Sequence, residues 1–74
     1  MKWNIKLKLK RIALQLSRKE ISEKIGVNIA TYSRWERGEH IPLPIYRDII
    51  EKLFADETIF KGDDLIGWKI KGIN

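Results

Sequence analysis

Two hydrophobic patterns overlap at the start of this chain. Trp3, Ile5, Leu7 and Leu9 alternate with Asn and Lys, the period-two signature of a strand. The IALQL run from Ile12 to Leu16 breaks that alternation, so a strand cannot extend through it. Wound as a helix, the segment puts Trp3, Leu7 and Leu14 on one side, with Ile5, Leu9 and Ile12 opposite. From Ser17 the pattern becomes helical and punctuated. Ser17 can cap a helix start, and Glu20, three residues on, is the reciprocal partner of a capping box. Ile21 and Ile25 share one helical face at i and i+4, and Gly26 stops the run. Asn28 is a second N-cap. It opens a helix whose buried side is Tyr32 and Trp35, and Gly38 ends it.

Two helices this short cannot fold alone, so packing must fix the angle between them. The turn is tight, and Ser22 is small where the backbones would approach. That combination predicts a helix-turn-helix unit over residues 17–38, whose second helix can lie in a DNA major groove. The stretch resembles the Cro/repressor (Xre-type) family of helix-turn-helix domains. The resemblance rests on Leu16, Ser17, Glu20, Glu23, Lys24, Gly26, Val27 and Thr31, and on the unbroken SRWERG from Ser33 to Gly38. It covers residues 5 to 55 or so, and it places a first helix where the alternating segment lies. We therefore expect that helix from about Asn4 to Gln15. Its second apolar side then needs a cover, because the family's first helix is apolar on one side only. Lys10 stands where the family usually buries a leucine, and Leu43 where it usually has serine.

Beyond Gly38 a loop holds the only histidine, His40, which has no convincing companions as a metal ligand. Pro44 suits a helix's first turn, and Ile45, Ile49 and Leu53, with Tyr46, Ile50 and Phe54 beside them, mark a helix to about Phe54. Asp56 could cap a short fifth helix carrying Ile59 and Phe60. Asp63 and Asp64 have no partners for catalysis or metal binding. In the extension from 56 to 74, Ile66, Trp68 and Ile70 alternate with Gly67, Lys69 and Lys71, a short strand pattern.

Composition narrows the class. At 74 residues the chain makes one small domain, able to bury about 60% of the surface it would expose unfolded. Without cysteine, neither disulfides nor thiolates hold it together. No apolar run approaches the ~18 residues of a membrane span, and the start lacks a signal peptide's apolar core. A cytoplasmic protein is expected. An interfacial membrane helix is disfavoured because the first segment is apolar on two sides. The net charge of +5 is uneven: residues 1–37 hold ten Lys/Arg against three Asp/Glu, and residues 38–74 hold five against seven. A basic half containing the helix-turn-helix suits double-stranded DNA, where neutralising phosphates releases counterions.

The resemblance also assigns residues. Positions matching Ile29, Ala30 and Arg34 are those that most often touch base edges, with Ser33 beside them. Arg34 could donate twice to guanine, while Ile29 and Ala30 could only read by apolar contact, as with thymine methyls. Arg18, Lys19, Asn28, Thr31, Arg37 and His40 suit phosphates. Arg18 replaces the glutamine that usually braces the backbone there. Arg11 and Glu36 match a partly buried structural ion pair joining the first helix to the third. The implied fold is an all-α, four- to five-helix, lambda-repressor-like domain with a core of Leu7, Leu14, Leu16, Ile21, Ile25, Val27, Tyr32, Trp35, Ile49 and Leu53. The implied function is a small sequence-specific transcriptional repressor, homodimeric on DNA, with no cofactor, metal or small-molecule site. Two alternatives stay open: an antitoxin binding DNA and a toxin, and a protein-interaction module on the same fold. One histidine, no cysteine and no nucleophile–base pair argue against an enzyme.

Overall fold

A computed structural model describes residues 2–55 and 59–60 as four helices: α1 (Trp3–Ala13), α2 (Arg18–Ile25), α3 (Ile29–Glu36) and α4 (Pro44–Leu53). The all-α architecture implied by the sequence is present, with no strand among the described residues. Local chemistry sets most of the boundaries. The Ser17 hydroxyl accepts from the Glu20 amide at 3.0 Å while the Glu20 carboxylate accepts from the Ser17 amide at 2.9 Å, closing the capping box. The bond from the Ser17 amide holds the Glu20 carboxyl below the usual carboxylate range. Gly26 turns left-handed at φ 92°, and the Val27 amide reaches back to the Ser22 carbonyl at 3.0 Å. Ser22, buried, turns its own hydroxyl onto the Lys19 carbonyl.

α1 ends two residues earlier than the sequence suggested. Gln15 takes a left-handed φ of 59°, and the Gln15 and Leu16 amides bond to the carbonyls of Ile12 and Arg11 at 2.8 and 3.1 Å. That is a Schellman stop without glycine, in a conformation that costs a residue with a Cβ roughly 1–2 kcal/mol. It carries Leu14 out of the core expected for it: Leu14 is 52% exposed, and Leu16 turns back inward instead.

Trp3, Leu7, Ile21, Ile25, Tyr32, Trp35, Ile50, Phe54, Ile59 and Phe60 form the buried cluster, with Leu16, Val27, Ile41, Tyr46, Ile49 and Leu53 packed against it. The apolar face of α4 is rotated from the expected one. Ile50 is fully buried and Ile45 is 66% exposed, while Ile49 and Leu53 are only partly buried against the core. Pro44 occupies the first turn of α4, and Leu43 before it gives no side-chain cap. The short fifth helix expected after Asp56 would start in residues 56–58, which lie outside the described residues. Ile59 and Phe60 are buried in a bend, their amides held by the Glu51 carboxylate at 2.9 and 3.2 Å. Phe60 then packs on Trp3, ring centroids 5.6 Å apart. The alternating stretch from Leu65 to Ile70 lies outside the described residues.

Candidate nucleic-acid interface

α3 has two faces with opposite chemistry. Tyr32, Trp35 and Glu36 point inward and are buried; Ile29, Ala30 and Arg34 point outward, with Ser33 half-buried between them. Asn28 fixes where the helix starts, its Oδ1 accepting from the Ala30 amide at 2.7 Å. Trp35 fixes its roll, sandwiched edge-on by Tyr32 at 6.1 Å and tilted against Tyr46 at 5.7 Å. At the C-terminus the Glu39 amide returns to the Arg34 carbonyl across left-handed Gly38. A Cβ on Gly38 would come within 3.2 Å of the Asn4 amide nitrogen, which itself donates to the Glu36 carbonyl. So α1 braces the end of α3, and side chains at 29, 30, 33 and 34 are held at fixed heights.

The Glu36 carboxylate is the mechanical centre. Its side chain is 2% exposed and accepts from Arg11 Nε at 2.6 Å, Arg18 Nε at 3.2 Å and the Tyr32 hydroxyl. Burial alone would raise its pKa; the bonds from Arg11, Tyr32 and Arg18 outweigh that and hold it below the usual range. Arg11, bonded to Glu36, is pushed up, and it also donates to the Leu16 carbonyl at 2.8 Å. Tyr32 is pushed above the ordinary phenol value, first by burial and then by the carboxylate it donates to. One side chain thereby ties α1, α2 and α3 together. Arg11 and Glu36 were both named from the resemblance. Arg18 and Tyr32 were not placed with them, although the i, i+4 spacing of Tyr32 and Glu36 carried the hint.

The remaining candidates spread around α3. Arg18 is half-exposed at the first turn of α2, its Nε turned to Glu36. Lys19 beside it is exposed. Arg37, just past α3, is paired with Glu39 at 2.6 Å, and that bond holds the exposed Glu39 carboxyl below its usual range. The Arg34 guanidinium, one turn earlier, makes no hydrogen bond among the described residues. Thr31 and His40 do not join the outer row of α3. They line a cleft of about 280 Å³ with Arg34, Trp35, Ile41, Leu43 and Tyr46. No cluster of three His, Cys, Asp or Glu able to hold a metal occurs among the described residues.

A tight turn between α2 and α3, the exposed strip on α3 and cations flanking it make a helix-turn-helix surface. The family model described as helix-turn-helix matches residues 7–56. The chain belongs to the Cro/repressor (Xre-type) helix-turn-helix family. No curated protein and no solved structure matches it. As a helix-turn-helix protein it is a DNA-binding regulator in general terms, and no helix among the described residues is long and apolar enough to cross a membrane.

Proposed function

We propose that this helix-turn-helix protein is a sequence-specific transcriptional repressor that binds DNA as a homodimer, with α3 in the major groove. The observation that carries this reading is the outer face of α3. Ile29, Ala30, Ser33 and Arg34 are presented as one strip by a helix whose opposite face is locked into the core. A reading surface must be stiff, because ordering a loose one would consume the binding energy. Arg34 can donate a bidentate pair to guanine O6 and N7, while Ile29 and Ala30 offer apolar contact to thymine methyls. Arg18, Lys19, Asn28 and Arg37 flank the strip as phosphate partners, with Thr31 and His40 on the cleft side.

The arginines divide by what holds them. Arg18 is steadied by Glu36, so its outer nitrogens can meet a phosphate without the side chain first being ordered. Arg37 must exchange Glu39 for a phosphate, and that pair is open to water and cheap to break. One short helix reads few base pairs, which is why two protomers on half-sites about one helical turn apart are part of the proposal. The test is selection from random duplexes, followed by a salt series on the selected site. A paired site with a steep salt slope supports the reading; no enrichment at low salt would end it.

A further inference from the structure

The cleft of about 280 Å³ beside α3 is shaped by three segments: one side of α3, the loop after it and the first turn of α4. Tyr46 tilts against Trp35 with ring centroids 5.7 Å apart, which gives the cleft an aromatic wall. Trp35 is only 3% exposed, so most of the apolar lining comes from half-buried Ile41 and Tyr46 and from Leu43, 64% exposed at the rim. Arg34 lines the cleft as well, and its guanidinium makes no hydrogen bond among the described residues. No carboxylate lines it. Glu39 is close enough to Arg34 to be stabilised by its charge, but the Glu39 carboxylate is bonded to Arg37 at 2.6 Å.

An apolar hollow with a few convergent polar groups is the usual form of a ligand site, typically of about 300–1,000 Å³. At about 280 Å³ this one suits a body of one or two rings. Its polar side chooses the charge. An open guanidinium fork with no resident carboxylate matches a carboxylate, which it can hold by two parallel bonds, and it repels an amine. A DNA phosphate would satisfy Arg34 but leave the apolar lining unused, whereas an aromatic acid uses both. The sequence implied no small-molecule site, because the lining residues are scattered from 31 to 46 and share no motif.

We propose that this cleft binds a small aromatic carboxylate, and that the bound ligand draws Arg34 out of the DNA groove and so weakens DNA binding. The antagonism rests on the DNA reading; the binding does not. Arg34 has one guanidinium fork, which can serve guanine O6 and N7 or a carboxylate but not both. With the ligand in place the α3 strip keeps Ile29, Ala30 and Ser33 and loses its bidentate donor. The loss of DNA affinity should approach that of deleting Arg34, roughly 5- to 150-fold on the selected site.

The probes are 2-naphthoate and its uncharged counterpart 2-naphthamide, added to the full-length protein without DNA and followed by amide and indole NMR shifts. 2-Naphthoate should bind on the order of millimolar or tighter, with shifts centred on Thr31, Trp35, His40 and Ile41. 2-Naphthamide should bind about tenfold more weakly, and so should 2-naphthoate to Arg34→Ala. Leu43→Asp, an exposed change that places a like charge on the rim, should weaken 2-naphthoate too. Shifts scattered over the surface, or equal affinity for acid and amide, overturn the site. On the selected duplex at matched ionic strength, saturating 2-naphthoate should weaken the parent and leave Arg34→Ala nearly unchanged. An equal loss in both proteins, or none in the parent, overturns the antagonism. Failure to select any duplex overturns the antagonism together with the DNA reading, whereas the NMR titration decides the site by itself.

Discussion

The two faces of α3 use the same residue types for opposite ends. On the inner face a charged residue, Glu36, is buried and answered by two arginines and a phenol. On the outer face a charged residue, Arg34, is left open, and two apolar ones, Ile29 and Ala30, are exposed. A buried charge is tolerated only when its hydrogen bonds are satisfied, and breaking one partner leaves an uncompensated ion. An exposed cation costs little until something binds it. The inner face should therefore govern stability, and the outer face affinity and specificity.

The comparison breaks most readily at Arg11. Arg11→Met should cost about 3–5 kcal/mol in urea unfolding, and the double variant Arg11→Met/Glu36→Leu should recover part of that loss. Equal losses would mean that the pair is not coupled. Acid and alkali probe the same node. The Glu36 carboxyl is held below its unfolded value, so its contribution is present above the ordinary carboxylate range of about 4.3 and is lost as pH falls through the lower, folded value. The Tyr32 phenol is raised, so its contribution is full below its ordinary value of about 10 and declines as pH climbs above it. Melting temperatures of the parent and of Tyr32→Phe across pH check both limbs. Tyr32→Phe should flatten the alkaline one, and an unchanged alkaline limb would assign the loss to another group.

On the outer face, Arg34→Ala should leave the melting temperature nearly unchanged while losing ~1–3 kcal/mol on the selected site and relaxing preference at one base pair. Arg37→Ala should weaken all sequences alike and lower the salt slope by about one unit. If single-mismatch penalties survive Arg34→Ala, Arg34 only clamps a phosphate, and specificity comes from Ile29, Ala30 or DNA shape. The smallest and sharpest effect is expected at Asn28, which belongs to both faces. Asn28→Ala should cost about 1 kcal/mol of stability through the lost cap, and Asn28→Ser should restore it. Affinity that returns with Ser tracks the cap; affinity that does not identifies the amide group itself as the phosphate contact.

Much of this design was legible in the chain. The capping box at Ser17 and Glu20, the Asn28 cap, the stops at Gly26 and Gly38 and the first-turn Pro44 are interactions between residues at most a few positions apart. The expected positions of α2, α3 and α4 followed from them. Other features were not legible. The alternation of Trp3, Ile5, Leu7 and Leu9 is common to a strand and to a helix with two apolar sides; the IALQL run and the family resemblance decided for the helix, but not which of its two sides would enter the core. Leu14 reads as core by periodicity, but the left-handed turn at Gln15 ends that periodicity first. Among the α4 isoleucines, Ile45, Ile49 and Ile50 are alike in hydropathy, so their ranking awaited the way α4 seats on the core.

The sequence by itself determined where α2 and α3 begin and stop, because their caps and glycine turns act through bonds spanning two to five residues. It also determined the unequal charge of the two halves. The tertiary structure alone decided that Arg18 joins Arg11 on the Glu36 carboxylate, and that Asn4 braces the far end of α3. Those contacts join residues 18, 25 and 32 positions apart. Nothing in a local pattern ranks one distant partner above another until the core has fixed the angles between the helices.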